Sequence, residues 1–280
     1  MALFCAFVDA YDWLFRLYMR ALGYLKPERE GETFFGAKVR CDIREFLQRK
    51  IYFFSIYEPN LTYLFINTLR AGDLVVDIGA NIGYFSLLAS KLVGPTGKVI
   101  SIEAAPETFH LLRRNLDRNV CGNVNAINVA ATLNETSVEI KRSDARNIGS
   151  NQIQIRAGSK PGNVPGRPVS AILGSDISRV SFIKIDIEGS EAPVLEDIVA
   201  HIAELPPRLT IVVEISDSSV KYIEAFRHAG FQIAGLPNNY EVGNFLVRSY
   251  LRRIGEDAFA SAVPIERYSP KYRDYVFARS

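Results

Sequence analysis

The sequence has little that would mark a metal or disulfide protein. Cysteine occurs only at 5, 41 and 121, an odd number with no C-x-x-C pair. That argues against a disulfide scaffold and a zinc ribbon, and it fits a reducing compartment. Histidine is equally scarce. His110, His201 and His228 lie far apart without H-x-x-x-H spacing, so no local multi-histidine metal site is offered. Neither sign of charge dominates: 33 Lys and Arg face 31 Asp and Glu, a net charge of +2. That balance does not suit a dedicated nucleic-acid binder. The chain has no G-x-S-x-G elbow, which leaves a hydrolase of that type unsupported. It has no G-x-x-x-x-G-K-[ST] either, which excludes a P-loop NTPase on motif grounds. No internal repeat is present.

What is present suits a packed α/β protein. Of 280 residues, 48% are apolar and 23% charged, enough for a substantial core and too apolar for global disorder. The most apolar stretch is MALFCAFVDAYDWLFRLYMRALGYL. No basic residue precedes Arg16, and Asp9 and Asp12 interrupt the run, so it is a poor secretory signal. With Arg16 and Arg20, the same charges argue against a spanning helix. Leu14, Leu17, Tyr18 and Ala21 recur at helical spacing. They predict an amphipathic helix packed on its own domain or on a second copy, as in a homodimer. A membrane-surface anchor and a substrate lid are the alternatives. No integral membrane segment and a cytoplasmic location are expected.

Residues 1–32 are read as this helix and a linker, 33–250 as the main domain and 251–280 as a tail. Residues 34–55 read as short strands and a helix, and Glu58-Pro59 opens a further helix. From residue 74 to about 215, buried-type strands (LVVDIG, KVISIEA, Asn123–Val129, SFIKIDI, LTIVVEI) alternate with helices. FQIAGL and NFLVRS are read as late strands. Residues 131–170 are polar and Gly/Pro-rich, and read as hairpin strands with an exposed loop. The alternation predicts a doubly wound, mostly parallel sheet, whose ligands bind outside the carboxyl ends of the strands at the switch point. The tail mixes Arg with Tyr. RNA could use that mixture, but docking of the aromatics on the domain is the expectation, and no nucleic-acid partner is assigned.

The turn after the first strand of this series is VVDIGANIGYFS. A dinucleotide fingerprint would need glycines where Asn81 and Tyr84 stand, so a nicotinamide cofactor is disfavoured. Asp77 at the strand tip would repel a pyrophosphate and suit an ammonium. S-adenosylmethionine carries an ammonium and a sulfonium, and no phosphate. Glu103, at the tip of the next strand, can accept both hydroxyls of an adenosine ribose. Gly79 and Gly83 let the backbone turn and approach a ligand. Ala80, Asn81, Tyr84 and Ala104 complete the expected donor lining, and Val129 and Ala130 offer small apolar groups to an adenine. Glu58 either caps its helix or reaches the methionine end of the donor. Asp144 and Asn147 to Asn151 either close over the cofactor or form a surface loop.

VVDIGANIGYFS, then SIEA, IKIDIEGSE and VVEIS, with YEPN and AGD leading in, resemble the FkbM family of class I S-adenosylmethionine-dependent methyltransferases over about residues 33–248. The resemblance implies a seven-stranded sheet ending in a hairpin with one antiparallel strand. It also implies methyl transfer, most often to a hydroxyl oxygen, and places Asp186 and Glu188 in the active-site motif. The spacing puts these two acids on one face if the strand continues; Gly189 then turns into a helix with Glu191 in its first turn. Asp186 or Glu188 is the candidate base or substrate orienter, with Glu214 next. Alternatively these acids hold backbone N–H groups or the donor's amino group; they would also suit a hard cation, although no metal is assigned. The expected acceptor is a small-molecule or sugar hydroxyl. The competing readings are an RNA or protein nitrogen acceptor, and a silent donor-binding or partner-binding domain.

Overall fold

The computed structural model describes residues 27–142, 151–155, 164–187, 189–237 and 262–279. The expected N-terminal helix, Glu188, Asp144, Asn147 to Ser150 and the NFLVRS strand lie outside the described residues. The chain divides into two compact units, Met1–Tyr63 with Asn238–Ala260, and Leu64–Pro237 with Ser261–Ser280.

In the first unit, β1 (Glu28–Glu32) and β2 (Lys38–Asp42) form an antiparallel hairpin, and α1 (Phe46–Phe54) packs on it. Val39, Cys41, Ile43 and Ile51 are buried. Glu58 sits at φ +41, and its carbonyl accepts the N–H of Thr62, so its backbone starts helix α2 (Pro59–Thr68).

The second unit is built on an eight-stranded mixed sheet. Five parallel strands form its body: β3 (Leu74–Ile78), β4 (Lys98–Ile102), β5 (Val124–Ile127), β10 (Val180–Ile185) and β11 (Leu209–Glu214). Their order is β5-β4-β3-β10-β11. The chain therefore winds outward from β3 in one direction and later returns to start β10 on its other side. That reversal makes β3/β10 the switch point. All five residues of β3 are buried, as expected of a strand covered on both faces. The helices that follow these strands are α3 (Tyr84–Val93), α4 (Pro106–Arg118), α6 (Glu191–Ala200) and α7 (Tyr222–His228). Pro106 opens α4, where its missing N–H costs nothing.

Between β5 and β10 the chain forms a separate four-stranded sheet, order β6-β9-β7-β8, from β6 (Ala130–Ala131), β7 (Thr136–Arg142), β8 (Asn151–Ile155) and β9 (Val164–Arg167). A short helix, α5 (Val169–Leu173), leads from it towards β10.

Two expectations are corrected at the far edge. The sheet has eight strands, because two residues, β13 (Val263–Pro264), pair with β12 (Gln232–Leu236). Two strands run antiparallel to the body, β13 and β14 (Asp274–Arg279). The longer, β14, is drawn from the segment read as a tail, so the sheet does not end at residue 250. It inserts between β11 and β12, with Val212 opposite Val276 and Ala234 opposite Val276 on the other side. Tyr275 and Phe277 are completely buried. The Arg279 guanidinium donates to the carbonyls of Leu205 and Pro206 at 2.9 and 2.8 Å, which fixes the strand's end. Among the described residues, no helix is long and apolar enough to cross a membrane.

Candidate active site

The carboxyl ends of β3, β4 and β10 meet at the switch point, and the turn after β3 is shaped by positive-φ residues. Gly79 lies at φ +75 and Gly83 at +95. A Cβ on Gly79 would overlap the Asp186 carbonyl oxygen and lie 2.9 Å from its carbon. Only glycine lets β3 pass that close to the end of β10. Asn81 sits at φ +50 and accepts the N–H of Ile82 on its own side chain at 2.8 Å, a local bond that makes the left-handed turn tolerable. Gly79 and Ala80 both donate to the carbonyl of Ile102, which ties the turn to β4.

Glu103 stands beside this turn and is 9% exposed. One oxygen accepts the N–H of Asn81 and the other that of Ala105, both at 2.9 Å. Burial pushes its carboxyl up to about 7, helped by the charge of Asp77 and opposed by those two N–H donors and by Lys184. A carboxylate offers about four lone-pair sites, so two remain for a ligand. Asn128, at the end of β5, donates to the carbonyls of Glu103 and Ala104 at 2.8 and 2.9 Å and holds this tip in place.

Asp77 differs from the sequence reading, which gave it the ammonium of a ligand. Its side chain is 0% exposed. Ser86 donates to Oδ2 at 2.6 Å, Ser101 donates to Ser86 at 2.8 Å, and Oδ1 faces the Lys184 ammonium at 3.6 Å. The cause is strand register. Lys184 is the cross-strand partner of Asp77 on one side and Ser101 on the other, so all three share one face of the sheet. The cation that meets Asp77 is internal.

Lys184 was not singled out from the sequence. A signal was there: SFIKIDI is a buried-type strand with one lysine, and the strand beside it, LVVDI, carries one aspartate. The Lys184 ammonium is also 3.2 Å from Oδ2 of Asp186, whose side chain is 37% exposed.

Five other expected residues are occupied or enclosed. Glu214 is held by Arg273, with Nε 2.7 Å from Oε1 and Nη2 donating to Oε2 at 2.8 Å. With both oxygens engaged by one guanidinium, Glu214 is better read as a structural anchor for the loop before β14. Val129 belongs to the main core and Ala130 to a small cluster with Val138 and Val164, which leaves neither open to an adenine. Ala80 and Tyr84 are likewise buried; Tyr84 meets Phe85 edge to face. Ala104 stays half-buried. Glu191 is completely buried and accepts the N–H of Gly189 at 2.8 Å. Burial, then the nearby charges of Glu214 and Asp186, raise its carboxyl above the usual range. Asp186, Glu191 and Glu214 thus share one electrostatic neighbourhood. Among the described residues, no group of three or more His, Cys, Asp or Glu could hold a metal ion.

The profile of the Methyltransferase FkbM domain matches residues 77–233, from the switch-point aspartate to β12. The chain belongs to the FkbM methyltransferases. With membership comes the methyl donor anticipated from the turn residues, S-adenosylmethionine. This FkbM methyltransferase is 23% identical to Methyltransferase 1 of Beauveria bassiana, over 68% of the chain and 82% of that protein. It is 42% identical to the protein-L-isoaspartate O-methyltransferase of Methanothrix thermoacetophila over 59 residues, 21% of the chain and 28% of that enzyme. The chain thus spans under a third of that relative's length. The methyltransferase FkbM of Methylobacillus flagellatus superimposes with a TM-score of 0.43 at 14% identity, covering 83% of this chain and 54% of that one.

Proposed function

We propose that the protein transfers a methyl group from S-adenosylmethionine to a hydroxyl oxygen of a small molecule or sugar. The observation that carries the donor site is Glu103: a carboxylate fixed at the tip of β4 by two backbone N–H groups, with acceptor capacity left for the two ribose hydroxyls. When bound, the donor supplies an electrophilic methyl on a sulfonium. The Asp186 carboxylate, 37% exposed at the end of β10, presents an acid to the crevice, which suits a sulfonium better than a diphosphate. Ala104 and the backbone of the Gly79–Gly83 turn line the donor side, and the rigid turn sets the approach angle.

Of Asp186 and Glu214, Asp186 has the more exposed side chain, 37% against 20%, and an ammonium holds it from below. It is assigned the proton of the acceptor hydroxyl as the oxygen attacks. Glu188 keeps the role that its motif gives it, as an orienter of the acceptor. Oxygen as the acceptor agrees with the isoaspartate relatives, which their names describe as O-methyltransferases. Calorimetry with S-adenosylmethionine and with NAD tests the donor; binding of NAD alone would end this reading. A screen of hydroxylated metabolites and sugars with labelled donor tests the acceptor. Label appearing only in RNA or in protein nitrogen would overturn the hydroxyl assignment.

A further inference from the structure

We propose that Lys184 is a positioning residue of the transfer site: its ammonium, anchored inside the sheet on Asp77, holds the Asp186 carboxylate at the mouth of the crevice. The inference rests on the reading of Asp186 as a group of that site.

A lysine is a costly choice for this position. Its neighbours along β10, Phe182, Ile183 and Ile185, are buried apolar side chains, and Lys184 itself is 3% exposed. A buried ion pair is often no more stable than an apolar pair of similar volume. Packing alone therefore gives no reason for Lys184 and Asp77 to face each other. The geometry supplies one. At Asp77 Oδ1 the ammonium stops at 3.6 Å, and no hydrogen bond reaches that oxygen. At Asp186 Oδ2 it closes to 3.2 Å and donates. An ammonium present only to neutralise Asp77 would place its hydrogen bond there.

The rest of the assembly fixes the ammonium from behind. Ser101 and Ser86 hold the far oxygen of Asp77 in a chain of short hydrogen bonds. The ring of Phe85 lies 5.3 Å from the ammonium, within the range of a cation–π contact. Phe85 packs in turn on Phe65, as does Phe182. The lysine reaches the crevice from a rigid, three-sided seat. It links the completely buried face of the sheet to a side chain at the crevice. Charge follows the same logic. Without the ammonium, Asp77 and Asp186 would be like charges with nothing between them, in a neighbourhood that already holds Glu191 and Glu214.

The test separates positioning from mere neutralisation. Lys184→Met alone leaves Asp77 uncompensated and can fail to fold, so the informative protein is the double variant Asp77→Asn/Lys184→Met, which removes the buried pair as a neutral unit. The readout is the carboxyl ¹³C resonance of Asp186 in aspartate-labelled full-length protein, assigned by its loss in Asp186→Asn. Glu191 and Glu214 are unchanged in every variant, so their fields cancel in the comparison. The expected result is that Asp186 binds its proton more tightly in the double variant than in the wild type: the hydrogen-bonded ammonium is lost, and the Asp77 charge removed with it offsets only part of that loss. Lys184→Arg, which keeps the cation, should stay near the wild type. A double variant that melts like the wild type and titrates identically at Asp186 would overturn the inference. If the double variant fails to fold, the inference stands or falls on Lys184→Gln measured against Lys184→Arg in the same titration. Failure of the wild type to bind S-adenosylmethionine would strike the donor reading alone, since the Lys184–Asp186 coupling is measured without ligand.

Discussion

Replacing Gly79 by alanine should damage stability and donor binding together, by amounts that can be worked out in advance. Two costs add. The residue sits at φ +75, and an L-residue held in the left-handed region costs about 1–2 kcal/mol. The new Cβ would also overlap the Asp186 carbonyl oxygen and lie 2.9 Å from its carbon. Backbone atoms cannot swing aside as a flexible side chain can, and overpacking of this kind costs about 1–3 kcal/mol. The sum is about 2–5 kcal/mol, and a domain of this size loses roughly 2–4 °C in Tm for each kcal/mol. Gly230 provides the control. It has φ +85, but a Cβ there would meet nothing within 4 Å, so Gly230→Ala should show the conformational cost alone. Thermal melts of the two variants isolate the clash as their difference. Because the clash displaces Asp186, calorimetry should also show S-adenosylmethionine binding at least about tenfold weaker in Gly79→Ala, about 1.4 kcal/mol, and unchanged in Gly230→Ala. Equal melting points for the two variants, with full donor affinity in both, would refute the close approach of β3 to β10.

Three further outcomes are expected. The Glu103 carboxyl, pushed up to about 7 from 4.5, is raised on folding, so its contribution to stability is lost as pH climbs from about 4.5 to 7, by up to about 3 kcal/mol; Glu103→Gln should remove that slope from urea unfolding curves taken at pH 5 and pH 8. If ribose hydroxyls bind the ionised form, donor affinity in the wild type should fall below pH 7 and proton release should accompany binding there, whereas a flat affinity between pH 6 and 8 would exclude that role. Asp77→Ala removes the fully buried counter-charge of Lys184 and leaves Asp186 as its carboxylate partner, so it should cost about 1–3 kcal/mol in denaturation; a loss confined to donor binding would restore Asp77 as a direct ligand. A chain ending at residue 250 lacks the strand between β11 and β12 and should show no cooperative unfolding transition, while a folded product would mean that β14 is dispensable.

The sheet was legible in the sequence where its strands are short apolar runs closed by turn residues. β3, β4, β10 and β11 are such runs, and their helices carry ordinary start signals such as Pro106. The longer antiparallel strand was missed because DYVFAR is a mixed segment on its own. It becomes a buried strand only when β11 and β12 leave a slot whose two open edges need hydrogen-bond partners. The eighth strand, two residues long, carries no periodic signal at all.

At the site, the sequence by itself determined which residues would stand at the strand tips, since Gly79, Asn81, Gly83, Glu103 and Asp186 are set by the strand–turn–helix pattern. It also determined the family, through the D-I-G-A-N-x-G and D-x-E-G-x-E runs. What it could not determine was which partner each charge would meet. That depends on register between strands distant in the chain, which set Lys184 beside Asp77 and turned an expected ligand contact into a buried ion pair. It depends equally on the return of the C-terminal segment, which brought Arg273 onto Glu214. A carboxylate's role follows from the nearest opposite charge and its access to water, and both are properties of packed neighbours that a linear pattern does not specify.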